Sequence, residues 1–250
     1  MAPGPRTLPR PALFSVLLTG LLTGIALLLA LAGCGSGGVG SPPAPPPLPP
    51  AAQLLGSAAT AMAGVHSASV NLQVDPALAM LPVRSATGKL TSTGDATGTA
   101  TVSQGSATSE LQFVITQGSL FLKGPTGQFQ QVPLALAAGI FDPTALLSQD
   151  RGVPALLRSA VNGTTEAEED VNGAPAYRVQ ATLNPNLMDS VLPGLTGTTS
   201  GKVWIDKATS RLVKAELAVP TTPGQAGSPT APVTVTLSEF NAPVTVTPPS

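Results

Sequence analysis

The chain is short of the side chains on which most enzyme chemistry rests. Its 250 residues include one cysteine, Cys34, and one histidine, His66. A lone cysteine excludes internal disulfides and a cysteine-built metal site. A lone histidine excludes a two-histidine metal site and leaves a nucleophile without its usual base. Aromatic residues make up 3% of the chain, which disfavours a sugar-stacking surface, and charged residues 10%. With 12 basic and 13 acidic residues there is no basic footprint for nucleic acid. No Gly-x-Ser-x-Gly elbow occurs. No glycine-rich loop follows a strand and opens a helix, so nucleotide binding has no support. The expectation is a protein that is not an enzyme and needs neither metal nor cofactor.

What is present begins at the amino terminus. Arg6 and Arg10 precede a stretch from Leu13 to Leu31 with no charge, followed by Leu31-Ala32-Gly33-Cys34. A basic segment, an apolar segment and small residues before a cleavage point make a secretory signal peptide. The last four residues resemble the lipobox of bacterial lipoproteins. That resemblance implies cleavage before Cys34 and a diacylglyceryl group on its sulfur. The product is lipid-anchored on the extracytoplasmic side of the plasma membrane, and two or three acyl chains hold firmly where one does not. The rival is a retained span, since an apolar stretch of this length just crosses about 30 Å of hydrocarbon. Without residues 1–33 the chain keeps 10 basic and 13 acidic residues, again no profile for nucleic acid.

The organisation follows as a signal peptide over 1–33, a tether over 34–50 and one domain over 51–250. Gly35 to Pro50 is glycine, serine and proline with almost nothing to bury, flexible at its glycines and extended through its prolines. Residues 51–65 predict a helix opened by Pro49 and Pro50, with Leu54, Leu55, Ala58, Ala61 and Met62 on its apolar stripe.

The period then changes to two. Strands are expected over 69–75, 86–93, 96–104, 109–117, 120–123 and 129–132, with turns at Gly94-Asp95, Gly118-Ser119 and Gly124–Gly127. Asp142 as N-cap and Pro143 open a helix carrying Leu146 and Leu147; a second runs over 153–161 and ends at Asn162-Gly163. Strands over 164–170 and 176–183 flank Asn172-Gly173, a strong hairpin signal. Asn184-Pro185 starts a short helix with Leu187, Met188, Val191 and Leu192. Further strands are expected over 202–206, 211–219, 233–240 and 244–247.

Each clear strand has one apolar and one polar face, and the short helices are the only cover for the apolar side. The fold class is therefore α+β: a strongly curved antiparallel sheet with helices over its concave face.

Several stretches carry a likeness to one family. They are Gly64-Val65-His66-Ser67-Ala68 before the first strand, Ile140-Phe141-Asp142-Pro143 before the helix pair, Val203-Trp204-Ile205-Asp206, and the run from Val233 to Phe240. With the lipobox, their order and spacing over about 51–248 resemble the mycobacterial lipoproteins of the LppX/LprG/LprA/LprF group. The resemblance implies a half-barrel with a large apolar cavity between sheet and helices. It implies multi-acylated lipids or glycolipids as ligand, carried away from the plasma membrane toward the outer envelope. It also makes a membrane lipid transporter a candidate partner.

Periodicity cannot say whether the space under the helices is hollow. Taken from the apolar faces alone, the cavity wall is expected from Val70, Leu72, Leu111, Phe113, Ile115, Leu146, Leu156, Leu157, Val179, Met188 and Val191. The alternative is a membrane-tethered scaffold with a filled core. His66 reads as structural. Glu166, Glu168 and Asp170 read as one solvated strand face, with a calcium site as the remote alternative. Asn162-Gly163-Thr164 reads as a turn, and Trp204 as core or cavity rim.

Overall fold

The computed structural model describes residues 46–105, 107–134, 143–192, 195, 200–222, 224, 225 and 227–249. The leader, Cys34, Ile140, Phe141 and the expected N-cap Asp142 lie outside the described residues. From Pro47 onward the chain forms one compact unit.

Helix α1 (Ala51–Ala63) leads into β1 (Ser67–Val74), β2 (Val83–Thr91), β3 (Ala96–Gln104), β4 (Ala107–Thr116), β5 (Ser119–Lys123) and β6 (Gln130–Pro133). Two short helices follow, α2 (Pro143–Leu146) and α3 (Val153–Ser159). Then come β7 (Val161–Val171), β8 (Ala174–Thr182), α4 (Pro185–Val191), β9 (Ser200–Asp206), β10 (Leu212–Pro220) and β11 (Thr230–Ser238). The strands form one open antiparallel sheet of 11, ordered β6-β5-β4-β3-β2-β1-β11-β10-β9-β8-β7.

This order explains the helical cover. β6 and β7 are consecutive in sequence yet form opposite edges of the sheet. Their connection has to cross one face, and α2 and α3 lie on that crossing. α2 touches β2 and α4, while α3 packs on α1 and α4. Gly152 makes the sharp turn into α3: a Cβ there would come within 2.5 Å of the Leu146 and Ser148 carbonyl oxygens. Asn184 caps α4, its side chain accepting from the Asn186 amide at 3.0 Å.

Strand register fixes which side chains meet. Leu111, Ala100, Ala86, Leu72, Val235, Ala215, Val203 and Val179 are successive cross-strand partners from β4 to β8. Since side chains alternate along a strand, this row marks the concave face.

The β7–β9 end of the sheet lies under α1, which touches β7 and β9. The helix buries Ala51, Leu55, Ala58, Ala59 and Met62, while Leu54 and Ala61 of the expected stripe are half-buried.

Several expectations are corrected. The second helix stops at Ser159, and Val161 starts β7 with 55% of its surface exposed. Asn162-Gly163 is not a helix-ending loop. It is an irregularity inside β7, where the register shifts and Asn162 takes φ 54°. Gly163 lets α1 dock there, since a Cβ would lie 3.0 Å from the Ala51 Cβ and 3.1 Å from Leu55 Cδ1. A second shift in β7, between Thr165 and Ala167, breaks the alternation assumed for the acidic run. Glu166 and Glu169 both bind Arg178, at 2.9 and 2.8 Å, while Glu168 pairs with Lys207 at 2.5 Å.

Residues 244–247 form no strand. β11 already has β10 and β1 on its two sides, so the tail meets no free edge. The chain is instead tied at Asn241, whose Oδ1 accepts from the exposed His66's amide at 2.7 Å.

Trp204 is buried, but apart from the main core cluster and not on the cavity rim. It alternates with Val203 and Ile205, so it faces the convex side. Lys214 Nζ sits 4.1 Å from the ring centroid, and the indole N–H donates to Glu169 Oε1. That hydrogen bond, and then the Arg178 and Lys214 charges, hold the Glu169 carboxyl below the usual carboxylate range. A depressed carboxyl stabilises the fold above the ordinary glutamate pKa and loses that contribution as pH falls through the folded value. Trp204 is the sole tryptophan and only 4% exposed, so its fluorescence reports this one site. The emission is expected to shift only below about pH 4.3, the unperturbed value, and Glu169→Gln is expected to abolish that step. Because the carboxylate is over one-third exposed, the variant should cost no more than about 1 kcal/mol in urea denaturation.

Candidate functional site

Between the concave face and the helices lies a cavity of about 660 Å³, partly open to solvent. The sheet side is drawn from β1 to β5 and β9 to β11, together with Met80, Leu81 and Pro82 of the β1–β2 loop. The helical side supplies Leu146, Val153, Leu156, Leu157, Met188 and Val191, with Leu192 and Leu195 beyond α4. α1 contributes nothing to the wall. The unit therefore has a filled end under α1 and a hollow end under α2 to α4, and the filled-core alternative does not describe it.

The wall is hydrocarbon almost throughout. Thr87 and Lys89 reach it only beside Gly88, where no side chain covers the main chain. Their own side chains alternate to the convex face: Thr87 Oγ1 lies 3.1 Å from Thr99 Oγ1, and Lys89 Nζ lies 2.7 Å from Glu239. Among the described residues no cluster of three acids, histidines or cysteines is placed to hold a metal ion. Such a surface can shelter apolar matter.

The hollow depends on small residues in β2 and β3. Ala86, Gly88, Ala96 and Ala100 line the cavity there, and Gly98 lies in the same face beneath Phe113. Gly88 and Gly98 are direct partners, and Phe113 is the next residue in the same row. A Cβ on either glycine would lie 3.1 Å (Gly88) or 2.9 Å (Gly98) from Phe113 Cζ. The Phe113 ring thus lies across both glycines and forms part of the floor.

Magnitude excludes a void that is both sealed and empty. At about 24 cal/mol per Å³, a closed and dry void of 660 Å³ would cost roughly 16 kcal/mol. That equals or exceeds the whole stability of an ordinary domain, about 5–15 kcal/mol. The cavity has to be occupied or wet.

Of the eleven wall residues expected from sequence, Val70, Leu72, Leu111, Phe113, Ile115, Leu146, Leu156, Leu157, Met188 and Val191 line the cavity. Val179 does not. It sits in the same row as Leu111, one strand beyond Val203 where the cavity stops, fully buried among core side chains. Sequence reasoning missed the β2–β3 floor and the contributions of β10 and β11. Leu217, Val233, Val235 and Leu237 were visible as alternating apolar positions. The floor residues carried no such signal because they are small.

Known proteins place the chain. Residues 50–246 match the model of the LppX_LprAFG lipoprotein family. The lipoarabinomannan carrier protein LprG of Mycolicibacterium smegmatis is 32% identical over 207 residues, covering 80% of this chain and 83% of that protein. The putative diacylated glycolipid transporter LprF of Mycobacterium tuberculosis is 29% identical over 246 residues, covering 90% and 91%. The crystal structure of LprF from Mycobacterium bovis superposes with a TM-score of 0.69 at 25% identity, over 82% of this chain and 99% of that one. LppX of Mycobacterium tuberculosis shares the fold, with a TM-score of 0.55 at 18% identity over 78% and 97%. With its open 11-stranded antiparallel sheet, apolar cavity and matching family model, this chain belongs to the LppX_LprAFG lipoprotein family.

Proposed function

We propose that the protein is a cell-envelope lipoprotein that holds the acyl chains of a multi-acylated lipid or glycolipid in this cavity. It carries them from the plasma membrane toward the outer envelope, tethered through an acylated Cys34 and without catalysis. A membrane lipid transporter is the candidate loading partner. The observation that carries the proposal is a 660 Å³ space walled by aliphatic side chains. Relatives named for carriage of lipoarabinomannan and of diacylated glycolipid support it.

At about 30 Å³ per water-sized group, the space holds on the order of 20 methylenes. At about 0.8 kcal/mol each, their burial contributes roughly 16 kcal/mol before the costs of association. Two acyl chains of about ten carbons, or one of about twenty, reach that capacity. A lipid with more hydrocarbon leaves part of it at the opening.

The test is the lipid content of the protein purified from an actinobacterial host. Organic extraction and mass spectrometry are expected to find acylated lipid near one molecule per protein. A secreted control without a cavity should carry none. Equal amounts on both would remove the carrier reading.

A further inference from the structure

The loop between β1 and β2 is unusual in having no polar side chain from Pro76 to Pro82, the sequence being Pro-Ala-Leu-Ala-Met-Leu-Pro. Its backbone is firmly held. The Ala77 amide donates to Asp75 Oδ1 at 2.8 Å, and the Leu78 and Leu81 amides close turns at 3.0 Å each. The Arg84 guanidinium donates to the Leu78 and Leu81 carbonyls at 3.2 and 2.9 Å. Leu78 is fully buried and pins the loop to the core. The polar groups are thus used inward, while Pro76, Ala77, Ala79, Met80 and Pro82 are exposed. Met80 and Pro82 also line the cavity, so two residues belong both to the wall and to the outer surface. The loop is a piece of the cavity's rim.

Scattered exposed apolar side chains need no explanation, but a contiguous group does. We propose that this rim seats on the surface of a lipid bilayer, so that hydrocarbon passes between bilayer and cavity without crossing water. The inference rests on the carrier reading above. Each methylene forced through water slows transfer by about fourfold, so a rim continuous with the apolar wall acts chiefly on rate. The length of chain before the described domain allows the contact: the 12 residues 35–46 can span at most roughly 40 Å between Cys34 and the domain.

The experiment uses the full acylated chain in phosphatidylcholine–phosphatidylglycerol vesicles. Cys34 is the only native cysteine, so Ala79→Cys takes a single bimane label, and Gln73→Cys on the convex face serves as control. Spin-labelled lipid is expected to quench the dye at 79 and not at 73. Fluorescent diacyl phosphatidylethanolamine should then load at least tenfold more slowly into Ala77→Asp/Ala79→Asp, with the final amount bound unchanged. Both positions are exposed and outside the cavity wall, so the fold should survive, as circular dichroism would report. Equal quenching at both sites, or loading at the wild-type rate, overturns the rim proposal and leaves the carrier reading standing. Slow loading without quenching at 79 means that the loop affects entry without touching lipid, and it overturns the bilayer contact. No uptake of the probe by the wild-type protein counts against the carrier reading itself.

Discussion

Gly98→Val is expected to destabilise the domain by about 3 kcal/mol or more, read as a lower midpoint in urea unfolding. Valine normally favours a strand, so propensity alone predicts a gain. The obstacle is the opposite main chain. A Cβ at 98 would collide with the Thr87 carbonyl oxygen and lie 2.7 Å from Gly88 Cα. Backbone cannot step aside as a side-chain tip can, and these strands are paired along their length. Phe113→Leu should not rescue the variant, because removing the ring leaves the Thr87 carbonyl in place. Thr99→Val, at the next residue and so on the convex face, serves as control and should stay within about 1 kcal/mol. If Gly98→Val unfolds at the same midpoint as that control, the close approach of β2 and β3 is not a requirement of this fold.

The glycine pair also marks what the sequence could and could not convey. Apolar alternation in Val70-Asn71-Leu72 and in Leu111 to Ile115 exposed the concave face, because burial on one side of a sheet writes a period of two. The hairpin at Asn172-Gly173 was legible because its turn needs positive φ at both residues, and they take 52° and 83°. β2 and β3 were found as strands but not as cavity floor. A floor is marked by missing bulk, and alanine and glycine look the same whether chosen for space or for composition. Irregularities were equally silent. Nothing local distinguishes Asn162-Gly163 as an irregularity under α1 from a loop, since docking of that helix decides it. Trp204 is buried as a tryptophan is expected to be, but the sequence did not show which face of the sheet buries it. Here Lys214 and Glu169 cover it on the outer face. That the β6–β7 connection must cross the sheet follows from the strand order, a property of topology that no single stretch encodes.

Leu111→Trp is expected to lower bound lipid at least fivefold while leaving the protein folded. Leu111 is half-buried on β4, with Ala100 and Ala86 as the next two residues of its row and Leu72 beyond them. An indole at 111 therefore has room to lie over the two alanines, whose side chains fill little of the space. It removes only a modest part of the 660 Å³, so the loss comes from interruption: an acyl chain running from β5 toward β11 meets an aromatic wall. Ala100→Trp places the same group on the floor itself and should act in the same direction, which separates blockage from any local effect at 111. Filling a partly wet apolar space favours the empty fold, so neither variant should unfold earlier than delipidated wild type. Delipidation is the complementary measurement. A ligand held at 100 to 1,000 times its Kd adds about 2.7–4.1 kcal/mol to stability, or roughly 5–15 °C in Tm for a domain of this size. Wild-type protein should lose that increment when stripped, and Leu111→Trp should show little difference between its two preparations. Full lipid occupancy in both tryptophan variants would mean that the hydrocarbon rests elsewhere on the molecule.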